Sequence, residues 1–563
     1  MISKMKTTTF TQINDQQWEE IAVKSLKGLP LEKIMTKTIE DIDIKPLYTK
    51  ENSHHNQATE QNRLHTIRKG IEKQDWTIAQ TNYATDSATF MSELKDSLAK
   101  GNEAIVYDGT RPIIWKEADL KELASFMQRY PIYAFDLQKE DKFVEAFGFV
   151  AADQKKEVQG AVTGEVDELV GFHLVRRLEA NTIDYHHQGA DIVTELAVAL
   201  AIAVEQAENY SSFNAFAHQF IVRFAVDTHF FMEMAKLRAF RALWQTLARA
   251  YGHEKTSRVP IYSETSLRTY SKLDPYVNLL RAGNEAFAAA LGGTDILTVH
   301  PHNILTDITP ASIRYARNVQ LVIKEETFIQ YVLDPAGGSY FIDTLTNDLI
   351  EKAWALFQDI DNQGGYSSYV ASGLLEQRIA KVAAQRLEQV HHREKSLIGT
   401  NVYANITDEI HVVEGVKQVE GRLSQAYEEL RIHFAKQQPK VVLLTFGLLK
   451  DFKPRADFVT GYLSAAGLET ISSPAFASVE EGRQWIKENN FDYGIICMPP
   501  KDTEAMMSLF MEDVPKGKWL DVAGKYEVTI MKQWVAAGIS GFIYQGQNQL
   551  EKFTTIKNRW EEE

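Results

Sequence analysis

The sequence predicts an α/β protein in two parts, a (β/α)8 barrel followed by a flavodoxin-like, doubly wound domain. Three observations carry this. Between Asp75 and Thr344, short runs rich in β-branched and aromatic residues alternate with stretches of helical periodicity, the pattern of βα units on a parallel sheet. At Gln437-Gln438-Pro439-Lys440 the periodicity breaks and a second alternation begins. The chain, at 563 residues, is also too long for one hydrophobic core.

The first 50 residues carry an amphipathic helix, Gln16 to Leu26, and an extended Lys45-Pro46-Leu47-Tyr48-Thr49, and read as an arm that packs on the barrel or on another chain. Eight strands are expected within residues 51–400: Trp76–Thr81, Ala104–Asp108, Ile132–Leu137, Thr182–His186, Ile221–Val226, Val259–Ser263, Ile296–His300 and Gln330–Leu333. Helices follow them, among them Asp191–Asn209, rich in strong helix formers, and the amphipathic Phe230–Tyr251. Asp348–Asp361 and Gly373–Gln389 read as further helix. Residues 401–437 are expected to form a helical linker, with a charged helix from Glu414 to Lys436. The domain at 438–563 has strand candidates Val441–Phe446, Glu469–Ser472, Tyr493–Met498, Trp519–Val522 and Gly541–Tyr544, a number that suits a doubly wound sheet.

Composition excludes several function classes. The net charge of −15 disfavours a polyanionic partner, and the densest basic stretch, His391-His392-Arg393-Glu394-Lys395, is interrupted by acid, so nucleic acid is not expected. No apolar run of bilayer length occurs, and the polar N-terminus lacks a secretory core, so a soluble cytoplasmic protein without membrane contact is expected. The single cysteine, Cys497, lies in an apolar run and reads as a buried structural thiol. Three histidine pairs, His54-His55, His186-His187 and His391-His392, lack the convergent third and fourth ligands of a metal site, and neighbours on a strand would face opposite ways. The glycine-rich Asp334-Pro335-Ala336-Gly337-Gly338-Ser339 lacks the lysine of a phosphate loop and reads as a tight turn.

Several strings are more specific: PLYT ending at Thr49, NTIDYHHQGA at Asn181–Ala190, THFFMEMAKLRAFRALW at Thr228–Trp244, DPAGGSY at Asp334–Tyr340 and LIGTNVY at Leu397–Tyr403. On these strings the chain resembles the methylmalonyl-CoA mutase family over nearly its whole length, and within it the small, or beta, subunit of the heterodimeric bacterial enzyme. The resemblance implies an adenosylcobalamin-dependent interconversion of succinyl-CoA and (R)-methylmalonyl-CoA, and a C-terminal domain of the cobalamin-binding type.

The departures from the family decide what this chain is expected to do. Cofactor-binding members carry D-x-H-x-x-G after the first strand of the C-terminal domain, its imidazole lying beneath cobalt. Here Leu449 stands at the acid, Asp451 at the histidine and Pro454 at the glycine, and no histidine follows His433. Turns that line the cofactor tail in the family are replaced by Met498-Pro499-Pro500-Lys501 and Val522-Ala523-Gly524-Lys525, so the tail pocket is expected to be filled or collapsed. In the barrel, the family string W-T-I-R-Q-Y-A-G-F becomes Trp76-Thr77-Ile78-Ala79-Gln80-Thr81, and R-T-H-S-Q-T-S becomes Pro260-Ile261-Tyr262-Ser263-Glu264-Thr265. Ala79 removes an arginine, and Glu264 adds a charge that repels an anionic thioester. Tyr185-His186 alone matches the family pair that contacts substrate, and is expected to be a relict held by packing.

The resulting expectation is a chain with no catalytic residue, no metal and no cofactor of its own. It would pair with a homologous catalytic large subunit that carries adenosylcobalamin, the arm supplying partner contact. Two alternatives stand beside it: an acyl-CoA mutase barrel using cobalamin from another subunit, and a docking module for a mutase-associated GTPase.

Overall fold

The computed structural model describes residues 13–51, 57–69, 74–253, 258–413, 416 and 419–562. His54-His55 lies outside the described residues. Two compact units emerge, one of residues 1–266, 283–300 and 314–382, the other of residues 267–282, 301–313 and 383–563. Among the described residues, no helix is long and apolar enough to cross a membrane.

The first unit contains two all-parallel sheets. One runs in the order Thr77–Ile78, Ile296–Thr298, Ile261–Thr265, Phe220–Val226, Leu178–Asn181. The other runs Ile105–Asp108, Ile132–Leu137, Gln159–Gly164, Leu174–Arg176. Their ends meet twice. The Glu103 amide donates to the Ile78 carbonyl at 2.9 Å, and Arg177 alone separates Leu174–Arg176 from Leu178–Asn181. Strand Phe220–Val226 is buried at every position, as a strand covered on both faces must be. Ala79, Ile221, Tyr262 and Ile296 from the first sheet share one buried cluster with Ala104, Val106, Tyr133, Phe135 and Ala161 from the second.

Two expected strands are absent, and three observed in the parallel sheets were not expected; nor was the short antiparallel pair Thr36–Lys37 and Asp43–Ile44 in the arm. Thr182–His186 is not extended: the helix Ile183–Gln188 occupies it, because Asn181 Oδ1 accepts from the Ile183 amide and Gly189, at φ 118°, caps the far end. Gln330–Leu333 contains the 3-10 turn Ile329–Tyr331, and Tyr331 is 73 % exposed, which no strand inside a barrel could be. In their place stand Gln159–Gly164, Leu174–Arg176 and Leu178–Asn181. At Gly160 (φ 136°), within Gln159–Gly164, a Cβ would lie 1.9 Å from the Ile132 carbonyl oxygen. Glycine is what lets the two strands approach.

The arm begins with the helix Asp15–Ser25, closed by a reciprocal Asn14–Gln17 capping box and burying none of its residues. Helix Ile192–Ala207, capped by Asp191, is buried almost throughout. Helix Phe230–Ala250 buries Glu233, Lys236, Arg238 and Arg241 along with its apolar face.

The second unit contains a parallel sheet ordered Thr470–Ser472, Val441–Thr445, Tyr493–Cys497, Leu520–Ala523, Gly541–Ile543. In chain order this is 2-1-3-4-5, the order expected of a flavodoxin-like domain. Alternate residues serve opposite faces: Val441, Leu443, Ile495 and Cys497 join one core, while Val442, Leu444 and Ile496 join the other. Burial pushes the Cys497 thiol up to about 12, so it stays protonated within this packing. The charged helix preceding the sheet starts later than expected, at Gln425, and runs to Gln437; residues 414, 415, 417 and 418 lie outside the described ones.

Candidate functional site

Tyr185 and His186 sit on the helical turn Ile183–Gln188, just past the carboxyl end of strand Leu178–Asn181. His186 is fully buried, and both its ring nitrogens are engaged. Nδ1 lies 2.8 Å from Glu195 Oε1 and Nε2 lies 2.7 Å from Ser266 Oγ. A carboxylate can only accept, so Nδ1 donates to Glu195, while Nε2 pairs with the Ser266 hydroxyl. The order Ser266–His186–Glu195 copies that of a nucleophilic triad. With Ser266 and His186 fully enclosed and Glu195 1 % exposed, it serves here as a buried hydrogen-bond line.

That line continues into helix Phe230–Ala250. Lys236 Nζ lies 3.1 Å from Glu195 Oε2 and 2.6 Å from Glu233 Oε2, and donates to the Ala225 carbonyl at 2.5 Å. Burial opposes the Lys236 charge, but the two carboxylates outweigh it and raise its pKa. Glu233 is raised to about 7, first by burial and then by Glu195 and Asp227, against the attraction of Lys236. His186 and His187 are thus neighbours on a helical turn, with ring centroids 5.5 Å apart, and do not point to opposite faces of a strand. Among the described residues no group of three or more His, Cys, Asp or Glu side chains could hold a metal ion.

Other strand ends carry charge as well. Arg223, 8 % exposed, meets Asp136 at 3.1 Å, Glu179 at 3.2 Å and Glu264 at 3.3 Å, and its guanidinium lies 4.0 Å from the Phe135 ring centroid. Burial works against the Glu264 charge, yet the hydrogen bond from His300 at 3.2 Å and the Arg223 charge hold its pKa at about 2. Glu179 goes the other way, raised chiefly by burial, because one guanidinium is shared among three acids. Glu264 is therefore a paired charge in a cluster of excess acid, and does not stand alone as its sequence position suggests.

Ala79 is fully buried behind this cluster. Its carbonyl accepts from Thr298 Oγ1 at 2.9 Å, and Thr298 in turn pairs with the Tyr262 hydroxyl at 2.7 Å. The Tyr262 ring lies 4.9 Å from Phe135 and 5.4 Å from Tyr133, centroid to centroid. The three aromatic rings pack together in the buried cluster that the two sheets share.

In the second unit the positions of the cobalt-ligand motif belong to the helix Leu449–Ser464. Leu449 is 64 % exposed at its start, Asp451 lies in its first turn, and Pro454 is within it. Leucine and proline side chains offer no donor to cobalt, and the aspartate is no neutral nitrogen, so the three positions do not fit a lower axial ligand. Asp451 instead suits the positive end of the helix dipole. Behind them Arg455 Nη1 reaches the Met498 carbonyl at 3.1 Å, Thr503 Oγ1 at 2.7 Å and the Tyr526 hydroxyl at 3.0 Å. Tyr526 donates to the Ala523 carbonyl at 2.9 Å, over Gly524, where a Cβ would come within 2.6 Å of the phenol oxygen. Pro499 Cγ would meet a Cβ at Gly447 at 3.0 Å. Arg455, Tyr526 and Pro499 thus occupy the region between the two altered turns.

The Asp334–Tyr340 string is structural. Asp334 binds Arg238 through two bonds, Nε–Oδ1 at 2.8 Å and Nη2–Oδ2 at 3.1 Å, and Asp343 takes the same guanidinium at 2.8 Å. Residue-type reasoning missed Glu195, Lys236, Arg223, Ser266, Arg455 and Tyr526. For Glu233, Lys236, Arg238 and Arg241 a signal existed: charges three or two apart inside an otherwise apolar helix imply a buried ionic face.

Comparison with known proteins points one way. The family model for methylmalonyl-CoA mutase matches residues 174–447. The methylmalonyl-CoA mutase small subunit of Porphyromonas gingivalis is 26 % identical over 98 % of both chains. The probable methylmalonyl-CoA mutase small subunit of Mycobacterium tuberculosis is 35 % identical over 57 % of this chain and 55 % of its own. A methylmalonyl-CoA mutase of Cereibacter sphaeroides is 37 % identical over 39 % of this chain and 32 % of its own.

Proposed function

The chain belongs to the methylmalonyl-CoA mutase family, and on that premise we propose that it is the non-catalytic small subunit of a heterodimeric, adenosylcobalamin-dependent methylmalonyl-CoA mutase. A homologous large subunit would hold the cofactor and interconvert succinyl-CoA and (R)-methylmalonyl-CoA in the cytoplasm. The observation that carries this reading is the conversion of the cobalt-ligand motif into the start of helix Leu449–Ser464, with Arg455 and Tyr526 packed behind it.

Other features agree. The two parallel sheets of the first unit are read as one closed ring of eight positions, with 174–181 as a single kinked strand, and Tyr133, Phe135 and Tyr262 block its axis. At the mouth three carboxyls face one guanidinium, an environment hostile to an anionic thioester. The contribution of this chain is then interface area. Ile13, Ile21 and Leu29 of the arm are 55–57 % exposed although apolar, as expected of residues covered by a partner.

The runner-up, a barrel that acts with cobalamin held by another subunit, draws on the retention of Tyr185 and His186. It is disfavoured because both His186 nitrogens already have buried partners, Glu195 and Ser266. Co-expression with the large subunit tests the proposal: the two chains should copurify, and the large subunit should lose stability or turnover without this one. A large subunit fully stable and active alone would remove the proposed role.

A further inference from the structure

The one hydroxyl of the surviving pair that is not enclosed by the barrel wall, that of Tyr185, lies 2.5 Å from the hydroxyl of Tyr366. Tyr366 belongs to a short helix, Gly365–Ala371, that follows the long helix Tyr340–Asn362. The short helix is fastened at a second point. The Ser367 amide and hydroxyl both donate to the Glu205 carboxylate, at 2.8 and 2.5 Å, from the end of helix Ile192–Ala207.

Its two ends turn on glycine. Gly364 (φ 96°) precedes it, Gly365 (φ 86°) opens it and Gly373 (φ 75°) follows, all in the left-handed region that other residues seldom adopt. One apolar anchor, the buried Tyr369, holds the middle. Two polar fastenings and one buried ring thus help to join the segment to the rest of its unit, and both its ends turn on glycines in the left-handed region. Burial, followed by the bond to Tyr185, raises the Tyr366 pKa, so this phenol remains protonated and able to donate at neutral pH.

We propose that Gly365–Ala371 is a latch, closed over Tyr185 by Tyr366 and fastened to Glu205 through Ser367, that shields the barrel's last family-type hydroxyl from any incoming ligand. Tyr185 can meet a ligand only when Tyr366 swings away, and the flanking glycines permit that motion. The significance of what is shielded rests on the non-catalytic reading above; the mechanical claim does not.

Hydrogen exchange followed by mass spectrometry on the full chain tests the latch. In Tyr366→Phe, and more so in Tyr366→Phe combined with Glu205→Ala, amides of residues 365–372 should exchange at least about tenfold faster. Those of strand Phe220–Val226 should be unchanged, and the strand also serves as the control that the variants remain folded. Exchange at 365–372 equal to wild type in both variants would overturn the latch, as would acceleration spread evenly over the first unit in the single variant. Neither result depends on whether cobalamin binds the chain, so the two readings fail separately.

Discussion

Glu233 and Glu264 are both buried carboxyls, yet their surroundings drive them in opposite directions. Glu233 faces Glu195 and Asp227 with one lysine between them and is raised to about 7. The folded state then holds a proton that the unfolded chain releases near pH 4.5, so stability is full below that pH and falls as pH rises toward 7. Glu233→Gln should flatten the fall in melting temperature between about pH 4.5 and 7, measured by scanning fluorimetry. Glu264, held at about 2 by His300 and Arg223 against burial, contributes stability above pH 4.5 that is lost as pH falls toward 2. Glu264→Gln should lower the melting temperature at pH 7, by the equivalent of about 2–3 kcal/mol, and weaken the acid-side transition. An unchanged melting temperature in Glu264→Gln would show that the Arg223 cluster contributes nothing net.

At the scale of elements, Gly160 marks a contact that admits no side chain. A Cβ there would lie 1.9 Å from the Ile132 carbonyl oxygen, at a backbone φ of 136°. Gly160→Ala should cost ~3 kcal/mol or more in chemical denaturation, whereas Gly252→Ala, at a φ of 79° with open space around it, should cost less. This close approach also explains why the strand was illegible. Strand reasoning looks for β-branched and aromatic runs, and Gln159–Gly164 is built of small residues so that neighbouring backbones can meet. The opposite error occurred at Thr182–His186, where threonine, isoleucine and tyrosine suggested a strand. The turn signals Asn181 and Gly189 at its ends settled it as helix. Of the strands of the second unit, Val441–Thr445 and Tyr493–Cys497 were legible because they are nearly continuous apolar runs bounded by polar turns. The altered ligand loop was legible as a set of substitutions at Leu449, Asp451 and Pro454. Its fate as helix, and the filling of space by Arg455 and Tyr526, depend on residues distant in sequence and could not be read there.

At the scale of the molecule, the likeness to methylmalonyl-CoA mutase small subunits and the residues at Leu449, Asp451 and Pro454 agree with the proposal that the chain works as part of an assembly. Its arm helix buries nothing of its own, so a variant carrying Ile21→Asp and Leu29→Asp should keep the wild-type melting temperature of the isolated chain within about 1–2 °C. In a pull-down the same variant should lose most of its recovery with the large subunit. Unimpaired recovery would move the interface away from the arm. The central claim, that the cofactor belongs to the partner, is tested most directly by calorimetric titration of adenosylcobalamin into the purified chain and into the heterodimer. The account predicts one site on the heterodimer and no saturable binding to this chain at concentrations up to about 100 μM, that is, nothing stronger than roughly −5.5 kcal/mol. Saturable, stoichiometric binding to this chain alone would contradict it.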